Sequence, residues 1–199
     1  MANWASTSYA IEGSKELLEK IERAILKHPV TEGADEHWEG DILNALGCKW
    51  ISRDEDRENG KYMRGFIFDT PWWGNDSHTV LRFSAEEAWG ITDFYEVLAE
   101  NFPDIKIYWI VEESGEGIYA TNDKEGKYFP DRFYVDACVD GEYQMDYFAN
   151  EESMYKWIAD ITKNRVKTPK EVKVFNADYE NSAAEAENFI IIHKFEVCD

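Results

Sequence analysis

At 199 residues, with 44% apolar and 15% aromatic content, the chain reads as a globular protein of one ordinary domain or two small ones, and disorder is excluded. Forty-one Asp and Glu against 21 Lys and Arg give a formal charge of −20, which argues against direct binding to a phosphate backbone. No apolar run approaches a membrane span, and Met1-Ala2-Asn3-Trp4 has neither a basic nor an apolar signal character, so a soluble cytoplasmic protein is expected.

Alternation of Thr7, Tyr9 and Ile11 predicts a first strand over Ser6 to Glu12. Gly13-Ser14 breaks it, and Ser14 can cap a helix with Leu17, Leu18, Ile21 and Ile25 on its apolar stripe. A second helix is expected from Asp35, with Trp38, Ile42 and Leu46 inward and Gly47 as its stop. Cys48-Lys49-Trp50-Ile51 reads as a short strand, the polar run Arg53 to Gly60 as a loop, and Tyr62 to Asp69 as a strand. Pro71 to Asp76 has the composition of a turn and leads to a strand at Thr79 to Phe83. Ser84-Ala85-Glu86-Glu87 has the form of a helix capping box.

Phe94, Leu98 and Phe102 predict a helix that stops before Pro103. Ile105, Ile107, Trp109 and Val111 form the clearest alternating strand, paired through Ser114 to Gly117 with Ile118 to Thr121. Asp140-Gly141 is a strong hairpin signal between Phe133–Val139 and Tyr143–Phe148. Asn150 can cap a helix carrying Met154, Trp157, Ile158 and Ile161. Strands are expected at Val172 to Phe175 and, last, at Phe189 to Val197.

Hairpins with helices between them, without strict β-α alternation, point to an α+β fold: a mostly antiparallel sheet with helices packed on one face. The opening half reads as a ferredoxin-like βαββαβ unit with additional hairpins. One domain over 1–199 is expected, with the ferredoxin-like elements within about 1–122 and a C-terminal extension over 123–199.

Chemistry-bearing motifs are few. Cys48, Cys138 and Cys198 are odd in number and lack zinc spacing, so reduced thiols are expected, and His28, His37, His78 and His193 form no ligand set. Asp54, Asp56 and Glu58 are spaced like the start of a calcium loop, but Asn59 and Gly65 stand where such a loop needs Gly and a bidentate Glu. Gly115-Glu116-Gly117-Ile118-Tyr119-Ala120 matches a dinucleotide fingerprint as a bare string, yet it continues into a strand and lies among acids that repel phosphate. Carboxylate hydrolysis would need two acids across a cleft, with Trp platforms such as Trp72, Trp73 and Trp89. Adjacent strand residues point oppositely, so only one of Glu112 and Glu113 could enter it.

The negative charge sits mid-chain. Residues 1–30 and 151–180 balance, whereas 31–60 and 91–120 each carry a net −6 and 121–150 a net −4. Lys163, Arg165, Lys167, Lys170 and Lys173 are the one basic patch. An acidic surface that favours solubility is the plain account; a surface that imitates nucleic-acid phosphates before a basic groove is the sharper one.

Asn3-Trp4-Ala5-Ser6-Thr7, followed by a strand and Gly13, resembles the Asn-Trp-Cys-Ser-Asn start of the YubB-like ferredoxin-fold family of phage- and plasmid-borne proteins. The stretch Phe83 to Asn122, with Trp89-Gly90 and Phe102-Pro103-Asp104, is similar to that family's second signature. The likeness covers about three-fifths of the chain; Ala5 stands where the family has Cys, and the family's Pro-Pro after its Trp is absent. It implies a ferredoxin-like fold and a mobile-element origin, and no catalytic residues.

The resulting expectation is a non-enzymatic macromolecular-interaction module with an acidic surface, its partner a basic protein and neither a nucleic acid nor a membrane. Its candidate binding residues are Trp72, Trp73, Glu86, Trp89, Glu112, Glu113 and Glu116. No catalytic residue, metal or cofactor is assigned. A carboxylate hydrolase with an aromatic-lined cleft and a small-ligand sensor are the alternatives.

Overall fold

A computed structural model describes residues 3–27, 37–177 and 188–198. The protein is α+β and divides into two compact units, residues 1–123 and Lys124–Cys198.

The first unit runs β1 (Trp4–Glu12), α1 (Lys15–Lys27), β2 (His37–Trp38), α2 (Glu39–Leu46), β3 (Gly65–Ile67), β4 (Trp72–Trp73), β5 (Val80–Ala88), α3 (Phe94–Asn101), β6 (Lys106–Glu113) and β7 (Ile118–Thr121). Its sheet has the order β7-β6-β1-β5-β3-β2, with β4 also on β5, and each of these pairs is antiparallel. Ala5, Thr7, Tyr9 and Ile11 of β1 are buried on one face. There Tyr9 stacks on Phe83 at 5.1 Å and meets Phe94 of α3 edge-on at 6.2 Å. Leu18, Ile21, Ala24 and Ile25 of α1 complete that core at helical spacing. Ser14 caps α1 as its sequence suggests, accepting from the Leu17 N–H at 3.3 Å. Trp109 is buried on β6 beneath α3, with Tyr95 at 5.7 Å.

Several local expectations are corrected. Trp38 belongs to β2 with an extended backbone, and α2 begins at Glu39; Asp35 lies outside the described residues. Gly47, at φ 77°, ends α2 as expected. Cys48 to Ile51 is irregular, because the Asn101 side chain supplies what a neighbouring strand would: it accepts from the Lys49 N–H at 2.8 Å and donates to the Lys49 carbonyl at 3.2 Å. Trp72-Trp73 is not a turn but a short strand on Arg82 and Leu81. The capping-box reading of Ser84 to Glu87 also fails. β5 continues to Ala88, since β1 and β3 flank it and their ladders satisfy the backbone that a cap would have used.

The second unit has β8 (Phe133–Val139) between β9 (Glu142–Phe148) and β10 (Phe189–Lys194), all antiparallel, with α4 (Glu151–Ile161) and α5 (Pro169–Phe175). Phe133, Val135, Ala137 and Val139 share a core with Met154 and Ile158 of α4 and Val172 of α5. Asp140 and Gly141 take φ 53° and 81°, both in the left-handed region that a two-residue hairpin of this hand requires. The strand expected at Val172 to Phe175 is a helix: Pro169 sits in its first turn and Thr168 caps it, accepting from the Glu171 N–H at 3.3 Å. The final strand is interrupted at buried Phe195.

Candidate functional site

Ser6 is the centre of the face of the first sheet opposite α3. Register places Glu86 of β5 directly beside it on one side and Glu112 of β6 on the other. Partners across a ladder project to the same face, so both carboxylates stand on the exposed side. The Ser6 hydroxyl donates to Glu86 Oε1 at 3.3 Å. Burial pushes the Glu86 carboxyl up, the Ser6 hydrogen bond opposes that shift, and the charge of Glu87 adds to it.

An aromatic edge adjoins the two acids. Phe66 of β3 pairs with Glu86, and Trp4 lies two residues before Ser6 on the same face. The Trp4 and Phe66 rings are 5.3 Å apart, and Trp38 meets Phe66 at 5.6 Å, both edge-on. Trp4 retains 39% of its surface in solvent. Sequence reasoning missed Trp4, Trp38 and Phe66 as site residues, because only the cross-strand register brings them beside Glu86.

The remaining sequence candidates fall elsewhere. Glu113 projects to the opposite face and is buried, where it accepts the backbone N–H groups of Gly115 at 2.8 Å and Glu116 at 2.5 Å. It therefore shapes the β6–β7 turn. A Cβ on Gly115 would come within 2.7 Å of its carboxylate, which accounts for glycine there. Glu116 accepts from the Asn3 side chain at 3.2 Å, and the Asn3 carbonyl accepts from the Trp89 N–H at 2.7 Å. Trp89 has φ 60° and carries the Arg64 guanidinium over its ring at 4.8 Å. Trp72 is exposed opposite Arg82, four residues along β5 from Glu86 or about 13 Å at strand rise. Trp73 stacks on His78 at 4.4 Å and secures its own turn.

Behind the sheet lies a second acidic pair. Glu39 opens α2 over Gly65, whose added Cβ would stand 2.6 Å from the Glu39 carboxyl, and Gly65 pairs with Glu87. Both acids are fully buried. Thr92 donates its hydroxyl to Glu39 Oε2 at 2.7 Å and approaches Glu87 Oε1 at 2.8 Å; Tyr9 also donates to Glu87 Oε1, at 2.8 Å. Glu39 Oε1 and Glu87 Oε2 are buried without a hydrogen-bond partner, and two neighbouring carboxyls out of water favour a Glu39 that keeps its proton. Burial first, then the Glu87 charge, holds the Glu39 carboxyl well above the ordinary carboxylate range, while the Thr92 hydrogen bond pulls the other way. The pair ties α2 to β5. It has no exposed surface through which to meet a substrate.

Among the described residues no group of three His, Cys, Asp or Glu could hold a metal ion, and no helix is long and apolar enough to cross a membrane. The Asp56 carboxylate is engaged in its own turn, accepting from the Glu58 and Asn59 N–H groups at 3.0 and 3.1 Å. Comparison with known proteins found no matching family model, no matching curated protein and no matching solved structure.

Proposed function

We propose that this chain is a non-enzymatic interaction module that receives a basic segment of another protein on the open face of its first sheet. The observation that carries the reading is the placement of Glu86 and Glu112 on either side of Ser6, bordered by the Trp4, Phe66 and Trp38 rings. Two acids on a flat face attract a cationic side chain, and the half-exposed rings bury its aliphatic stem. Charge favours a basic protein over the competing partners, because a chain at −20 repels nucleic acid and anionic lipid alike.

The order β6-β1-β5-β3, with α1 following β1 and α3 following β5, supports a ferredoxin-like core to which β2, β4 and β7 are additions. That core agrees with a mobile-element origin in the YubB-like family that the opening and central segments resemble.

The test is an NMR titration of the whole protein with a lysine- and arginine-rich peptide. Shifts should centre on Ser6, Glu86, Glu112 and Trp4, and E86Q/E112Q should weaken binding about tenfold, as expected for loss of two facing charges. Equal affinity for the double variant, or shifts confined to other surfaces, overturns the reading.

A further inference from the structure

A cleft of about 570 Å³ opens in the first unit between α2 and the segment 50–64, a size suited to a small molecule. Trp38, Trp50 and Tyr62 give it flat walls, and Arg53, Lys61 and Arg64 bring cations to it. Its framework is set in advance. The Arg53 N–H donates to the Lys61 carbonyl at 3.0 Å and the Lys61 N–H to the Ile51 carbonyl at 2.8 Å, closing the loop at its base. The Arg64 carbonyl accepts from the Ala88 N–H at 2.9 Å, fixing that side to the end of β5. Trp50 lies against Gly40, where a Cβ would touch its ring at 3.4 Å, and its indole N–H donates to Asn44 at 3.1 Å.

The cations in this cleft are not alike. Lys61 is held by Glu96 at 2.9 Å and Glu100 at 3.0 Å. The Arg53 and Arg64 guanidiniums are instead held by rings, Arg53 over Tyr62 at 5.7 Å and Arg64 over Trp89 at 4.8 Å. Neither makes a side-chain ion pair or hydrogen bond among the described residues, although acids outnumber bases two to one in this chain and Asp41 and Asp54 border the same cleft. Ring contacts orient a guanidinium while leaving its forked N–H donors open, the arrangement that receives a carboxylate or phosphate.

We infer that this cleft is a binding site for a flat-ringed anion, with Arg53 and Arg64 taking the carboxylate or phosphate and Trp38 and Trp50 stacking on the ring. The ring is part of the inference because a net charge of −20 opposes entry of any bare anion, so stacking must supply the balance. This site shares Trp38 with the edge of the acidic face around Ser6, but its anion anchors Arg53 and Arg64 lie outside that face, so it stands or falls independently of the basic-partner reading.

The experiment follows the indole N–H signals of Trp38 and Trp50 in the whole protein during titration with nicotinate and with AMP. Nicotinamide and adenosine serve as the uncharged rings and inorganic phosphate as the ringless anion. Saturable shifts are expected with at least one ring anion, about tenfold tighter than with its uncharged counterpart or with phosphate, and whether nicotinate or AMP binds tighter tells carboxylate from phosphate. R53Q and R64Q should each lose about fivefold in affinity, and R64K should recover only part of that loss because an ammonium lacks the fork. Both arginines are exposed, so an unchanged backbone spectrum confirms that the variants fold. No shift up to about 10 mM, equal affinity for charged and uncharged rings, equal affinity for phosphate alone, or full retention of binding in both glutamine variants overturns the inference.

Discussion

At the scale of single residues, the most consequential group is the Glu39 carboxyl. Gly65 leaves room for it, Thr92 donates to it, and Glu87 faces it; Tyr9 and Tyr62 are the other titratable groups turned toward the pair. Its raised proton affinity has a definite sign in stability. Below the ordinary carboxylate value of 4.5 the protonated group is at home in both folded and unfolded chains. Above that value the unfolded chain sheds the proton while the folded one keeps it, so stability falls as pH rises toward the folded value. Urea unfolding followed upward in pH from the ordinary value of 4.5 should show E39Q losing less stability than the parent, by up to about 1.4 kcal/mol per pH unit over the window in which the proton is held. A parallel pH dependence in the two proteins would mean that Glu39 shares no proton. Gly65→Ala tests the same packing from the other side. Its methyl would meet the carboxyl at 2.6 Å, and a loss of about 1–3 kcal/mol is expected in the same measurement.

At the scale of elements, alternation of apolar residues was readable wherever one face of a strand meets a core. β6 shows this best: Trp109 and Val111 are buried, as is Ile105 just before the strand, and Ile107 shares their side. Truncating Trp109 to Ala should cost about 3–5 kcal/mol in chemical denaturation, and a loss below 1 kcal/mol would contradict its burial under α3. Other elements were set by signals that local pattern does not carry. β5 extends through Ser84 to Glu87 because strands on both sides capture its backbone, overriding a good capping sequence. Cys48 to Ile51 has strand composition, but the Asn101 amide satisfies Lys49 from outside any sheet. The sequence of α5 did contain its start, Thr168-Pro169-Lys170-Glu171, and the β-branched pair Val172 and Val174 obscured it. Legibility of the site follows the same rule. Glu86 and Glu112 are conspicuous as acids, whereas their common neighbour Ser6 emerges only from register, and Glu39 and Glu87 lie on α2 and β5 with β3 and β4 between them, a separation no spacing rule crosses.

At the scale of the whole molecule, charge governs encounter. Exposed carboxylates act together only within a Debye length of about 8 Å at physiological salt, so a basic partner should associate rapidly in dilute buffer and more slowly as salt is added. Stopped-flow measurement across an ionic-strength series should show the change chiefly in the association rate. An association rate indifferent to salt would remove the acidic face from recognition and leave solubility as the reason for −20.

The Glu39–Glu87 contact also makes the folded protein a reservoir of one hydrogen ion. Between the ordinary carboxylate value and the raised folded one, each molecule that unfolds surrenders that ion to its surroundings, and the buffer that captures it adds its own heat. Calorimetric unfolding enthalpies at one pH within that window should therefore differ between phosphate and Tris, with the smaller value in Tris, whose protonation evolves more heat. The same pair of scans on E39Q should converge, so the proton that fastens α2 to β5 can be counted without observing it directly.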